Sequence, residues 1–135
     1  MSEKLSACKA LAAMIRDHGT PSVDEVVYVA HAALELGLDP DENAEVQSVL
    51  ADGGDFNALI NDVETPDVQL FLFRRVVSAS LIDAEINDDE KKFIATTAEA
   101  FNYQPHVVEE YISWMCQGID WERRGAGIMS RLPKA

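Results

Sequence analysis

The sequence predicts an all-α protein. Three observations carry that expectation: apolar residues recur at helical spacing, no stretch alternates as a half-buried strand does, and the Asp-Gly hairpin signature appears only in the loop-like Asp52-Gly53-Gly54-Asp55. A first helix is expected from about Glu3 to Arg16, with Leu5, Cys8, Leu11, Ala12 and Ile15 on one side. A second starts at Ser22, where Ser22-Val23-Asp24-Glu25 has capping-box spacing, and ends near Gly37, a residue suited to a left-handed helix end. Asp39 as N-cap and Pro40 at the first helical position open a third, expected to end near Leu50. The glycine pair and the polar run to Glu64 read as a connector holding a short helix around Phe56 to Ile60. Thr65-Pro66 then opens the most apolar helix, Val68 to Ile82, expected to be the central buried one. Asn87-Asp88-Asp89-Glu90 is another capped start, and Gln104-Pro105 opens a last helix to about Cys116. The remainder, with Trp121, Arg123, Arg124, Gly125 and Gly127, carries no clear assignment.

Sliding the chain against itself by 65 residues superposes Glu25 on Glu90, Ala30 on Ala95, Ala33 on Ala98, Pro40 on Pro105, Glu45 on Glu110 and Ser48 on Ser113. The apolar face Val29, Ala33, Leu36 falls on Ile94, Ala98, Phe101, and one extra residue in the first loop aligns Ala13 and Asp17 with Ala79 and Asp83. The expected organisation is therefore one bundle of about seven helices over residues 1–118, built from two pseudo-symmetric three-helix repeats at about 5–51 and 66–117, with 119–135 as a C-terminal tail. A chain of 135 residues suits one such domain, and 47% apolar against 26% charged residues exclude a disordered polymer. The apolar runs fall far short of the roughly 20 residues that span a bilayer, and there is no signal-peptide pattern, so a cytoplasmic location is expected. Cys8 and Cys116, without C-x-x-C spacing, read as buried thiols.

Charge narrows the function classes. A formal net charge of -13 repels phosphate backbones and anionic membrane surfaces, which argues against nucleic-acid binding and direct membrane insertion. Between Arg16 and Arg74 there is no Lys or Arg, yet thirteen acids lie there, from Asp17 to Asp67; outside that window eleven acids face eleven bases. One part of the chain thus carries the whole imbalance. It suits a solvated acidic face, or a face that meets cations or a partner with a basic surface.

The run Ser78-Ala79-Ser80-Leu81-Ile82-Asp83-Ala84-Glu85-Ile86-Asn87-Asp88-Asp89-Glu90, followed by Phe101-Asn102-Tyr103, resembles the TerB-like family. That family includes tellurite-resistance proteins and the acidic helical domain beside the J-domain of a membrane-anchored co-chaperone. Its signature is an alanine-rich helix entering Asp-Gly-Glu-Ile-Ser/Asn-x-x-Glu, then a helix ending in Leu-Gly-Leu. Asp83, Glu85, Ile86, Asn87 and Glu90 match, with Ala84 in place of the glycine. In the first half Asp17, Gly19, Glu25 and Leu36-Gly37-Leu38 keep the outline, with Thr20 in place of the second acid. The likeness covers roughly Leu5 to Gln117. It implies a non-enzymatic bacterial stress-response protein, associated with resistance to tellurite, that binds metal ions through its acidic residues or assembles with partners. Such a protein would be cytoplasmic, or peripheral to the inner membrane through a membrane-associated stress complex.

The residues themselves leave two readings of the acidic loops. Asp83, Glu85, Asn87, Asp88 and Glu90 offer oxygen ligands of the kind Ca²⁺, Mg²⁺ or Mn²⁺ prefer, and Asp17 and Glu25 are their counterparts in the first half. They do not make an EF-hand, since Asp88 and Ile94 stand at the sixth and twelfth positions counted from Asp83. Helix capping alone explains Asn87 with Glu90, and Ser22 with Glu25, leaving Asp17, Asp83 and Glu85. In the capping reading the chain is an acidic protein-interaction module with no metal. His18 beside Asp17 either joins a metal site or is a lone exposed side chain, His31 reads as a surface partner of Glu35 one turn on, and His106 falls in the first turn of the last helix with no obvious partner in sequence. No G-x-S-x-G elbow, H-E-x-x-H pair or glycine-rich phosphate loop is present, so no catalytic residues are assigned.

Overall fold

Side chains close the first four helix starts. Oxygens of Ser2, Ser22, Asp39 and Asp55 accept from the backbone N–H groups of Leu5, Glu25, Glu42 and Ala58 at 2.8–3.2 Å, satisfying donors that a helix leaves unpaired. At Ser22 and Asp39 the capping box is reciprocal, because Glu25 and Glu42 accept in return from the cap residues' own N–H groups. The helices so opened are α1 (Glu3–Asp17), α2 (Val23–Glu35), α3 (Pro40–Asp52) and the short α4 (Phe56–Asn61). Proline at the first position begins α5 (Pro66–Ser80) and α7 (Pro105–Ser130), whose N-caps Thr65 and Gln104 make no side-chain cap; α6 spans Asp88–Ala100. The computed structural model describes residues 2–81 and 88–133, and these contain helices and no strands. The all-α fold is as the sequence leads one to expect. Asn87 as a cap lies outside the described residues.

The chain divides into two units, 1–102 and 103–135. In the first, the central helix is α1 and not α5 as its apolar sequence suggested. Ten residues of α1 are buried, from Leu5 to Ile15 with Lys9 the one half-buried exception, whereas α5 buries Val68, Leu72, Phe73, Val76, Val77 and Ser80 and exposes Leu70. Side-chain size decides this. Ala7, Ala10, Ala12 and Ala13 let neighbours approach α1 on every side, and it packs against α2, α3, α4 and α5. Leu11 and Met14, both 1% exposed, fill the gaps, each worth about 1.5–3 kcal/mol when fully buried.

The bounds of α2 and α6, Val23–Glu35 and Asp88–Ala100, and the starts of α3 and α7 at Pro40 and Pro105 keep the 65-residue offset, but α3 ends at Asp52 whereas α7 runs on to Ser130. The turns after α2 and α6 correspond too. Gly37 has φ +73° and Asn102 φ +59°, and at Gly37 the N–H groups of Gly37 and Leu38 donate to Leu34 and Ala33, a Schellman closure. Burial does not follow the offset, for α3 buries Val46 and Leu50 whereas α7 buries none of its residues.

The second unit is built on α7, which runs 26 residues, past Cys116 and Gly118 to Ser130. That length exceeds the expected end near Cys116; Gly118, Gly125 and Gly127 each cost a helix about 1 kcal/mol relative to alanine and mask its continuation in the sequence. Most of the 119–135 segment expected as a tail is thus the second half of a helix.

Candidate functional site

Of the six residues assigned to the acidic loops, Asp83, Glu85 and Asn87 lie outside the described residues. The other three have distinct surroundings. Glu25 is committed to α2, accepting from the Ser22 N–H at 2.9 Å. Glu90 is buried in the first turn of α6, where a carboxylate favours the positive helix end. Asp17 is exposed at the last position of α1. Just beyond it the His18 ring meets Phe93 edge-on at 5.8 Å, and Phe93 meets Phe56 at 4.8 Å. This aromatic chain brings the end of α1 beside the second turn of α6, one turn from Glu90. Among the described residues, no three His, Cys, Asp or Glu side chains come together as a metal site would require.

The acids of the basic-free window fall into two groups. One holds the fold. Asp39, Glu42, Asp55 and Glu25 cap helices, Asp62 accepts from Ser6 Oγ at 3.3 Å, Glu45 pairs with Lys9 at 3.2 Å, and Glu35 pairs with Arg75. Asp17, Asp24, Asp41, Asp52, Glu64 and Asp67 form the other, with exposed side chains that make no described hydrogen bond or ion pair. Among the described residues, cations from outside the window reach its acids and carbonyls at three places. Lys9 and Arg75 supply ion pairs, while Arg16 Nε donates to the Ala51 carbonyl at 2.9 Å.

Two polar clusters were not legible in the sequence. Arg75 pairs with Glu35 and lies over the rings of Tyr28 and Phe71, 5.1 and 5.2 Å from their centroids, while the Tyr28 hydroxyl donates to the Arg75 carbonyl at 3.0 Å. Glu35 therefore spends its carboxylate on Arg75 rather than on His31, because a guanidinium held by two aromatic rings is the better-placed donor. The hydrogen bond and charge of Arg75 hold the Glu35 carboxyl below the usual range. The second cluster is Glu3, whose carboxylate accepts from the Thr65 hydroxyl and N–H, both at 2.5 Å, and from the Glu64 N–H. It closes the start of α5 from another helix, and these bonds lower its pKa, the Thr65 hydroxyl contributing most.

Only one thiol is buried as expected. Cys8 lies inside the core, where burial pushes its pKa up to about 12; Cys116 on α7 is exposed, and both are free. His18, His31 and His106 are all exposed. Among the described residues no helix is long and apolar enough to cross a membrane. No family model, curated protein or solved structure matches the chain.

Proposed function

We propose that this chain is a non-catalytic, TerB-like bacterial stress-response protein whose first unit docks a partner with a basic surface. One observation carries the reading. After capping and ion pairing are satisfied, six exposed carboxylates remain on the window that contains no Lys or Arg, so its field is uncompensated and can steer a cationic surface. The partner would supply the charges that the window lacks. A stress complex at the inner membrane is the setting that the TerB resemblance suggests.

The test must spare the capping acids, since neutralising Asp39 or Glu42 would damage α3 itself. Purified wild-type protein and an Asp24→Asn/Asp41→Asn/Asp52→Asn/Asp67→Asn variant are used to capture partners from a bacterial lysate at low and high salt. The expected result is a basic protein retained by the wild type at low salt and lost with either the variant or salt. Retention of the same partners by the variant overturns the reading.

Divalent-cation binding by the second acidic loop is the second reading, favoured by the His18–Phe93 contact that brings the Asp17 end of α1 toward the start of α6. Calorimetric titration of chelator-stripped protein with Ca²⁺, Mg²⁺ and Mn²⁺, repeated on Asp83→Asn/Glu85→Gln, tests it. Saturable binding lost in the variant supports a cation site; no binding leaves those acids to capping and surface charge.

A further inference from the structure

Helix α7 carries an apolar seam with a regular 4,3 spacing: Val107, Tyr111, Trp114, Gly118, Trp121, Gly125 and Ile128. Trp114 at 65%, Trp121 at 71% and Ile128 at 54% are exposed, and Tyr111 is half-buried with its ring 6.0 Å from that of Trp114. Three heptads sustained along one stripe are the pattern of a helix that pairs with another helix. The order of sizes along the stripe identifies the occupant.

We infer that the seam pairs with the seam of a second copy of this chain, the two α7 helices running antiparallel about a two-fold axis between Ile119 and Asp120. In that register Trp114 of one copy meets Gly125 of the other, Trp121 meets Gly118, and Tyr111 meets Ile128. Every large side chain finds a small or medium one. Parallel pairing would set Trp against Trp and Gly against Gly, crowding two layers and leaving two empty. Charge agrees with size. Glu110, Gln117, Arg124 and Arg131 follow one edge of the seam at seven-residue spacing, and the antiparallel register places Glu110 beside the partner's Arg131 and Gln117 beside the partner's Arg124. Buried indoles supply much of the area: four tryptophans at about 150 Å² each provide roughly half of the ~1,200 Å² at which stable interfaces begin.

The decisive variant is Gly118→Ile/Gly125→Ile, which fills both small positions while adding apolar surface and raising helix propensity. Sedimentation equilibrium of the full chain is expected to give twice the 14.9 kDa chain mass. The glycine variant weakens association by roughly ten- to a hundredfold with unchanged circular dichroism. Trp114→Ala/Trp121→Ala, which removes the knobs instead, is also monomeric. Glu110→Arg and Arg131→Glu each weaken the dimer by roughly two- to fivefold, and the double exchange restores it. A chain monomeric from micromolar to millimolar concentration overturns the inference, as does a dimer that survives filling of both glycines. Dissociation by the glycine variant without rescue by the charge exchange overturns the antiparallel direction.

Discussion

Helices α1 and α7 bury their residues in opposite measure: ten of fifteen in α1, none of twenty-six in α7. Both carry apolar residues at helical spacing, so periodicity does not separate them. Side-chain size does. α1 is lined with alanines that admit neighbours all round, and so becomes the centre of its unit. α7 concentrates its bulk in two tryptophans set among glycines, an arrangement filled by a complementary helix.

The comparison is broken most forcefully by truncation. Leu11→Ala in α1 should cost about 2–5 kcal/mol of unfolding free energy, since Leu11 is 1% exposed and its neighbours can close the cavity only in part. Trp121→Ala, measured on the dissociated chain, should change the unfolding free energy of the first unit by less than about 0.5 kcal/mol. Chemical denaturation of the two variants compares them directly, and equal losses would remove the distinction.

Helix ends give intermediate effects. Ser22→Ala should cost about 1 kcal/mol by dismantling the α2 capping box. Gly37→Ala should cost about 1–2 kcal/mol because a Cβ is strained at φ +73°. Thermal melts are expected to show both losses in the first unit.

Glu3 supplies a pH dependence. Its folded pKa lies below the ordinary 4.5, so its contribution is fully present above that value and is lost as pH falls through the lowered folded value. Glu3→Gln should therefore melt below wild type at neutral pH, the two converging in acid. A difference that persists at pH below both values would show that packing, not charge, links α1 to Thr65.

Thiol labelling gives the smallest perturbation. Cys116 should react with a maleimide in the native protein and Cys8 only on unfolding, since Cys8 is buried with its pKa pushed up to about 12. Two fast-reacting thiols in the native state would contradict the burial of α1.

The helix starts were readable because their chemistry is local: Ser22 with Glu25, Asp39 with Glu42 and the prolines at 40, 66 and 105 act within one turn. The centrality of α1 was hidden because alanine reports little in a hydrophobic pattern, whereas Leu70 and Phe71 made α5 look more buried than it is. Glu3 with Thr65 and Arg75 with Glu35 join residues distant in sequence, and no local spacing announces such pairs. Glycines at 118, 125 and 127 disguised the length of α7. At the acidic loops, Glu25 was readable as a cap, whereas Asp83, Glu85 and Asn87 lie outside the described residues.

Amide hydrogen exchange on the intact chain, followed at two protein concentrations, tests the contrast between α1 and α7 most directly. The slowest amides should lie in α1 from Leu5 to Ile15, unchanged by concentration, while those of α7 should gain protection as the protein is concentrated. Protection of α7 that ignores concentration, or α1 amides that exchange faster than those of α5, would contradict it.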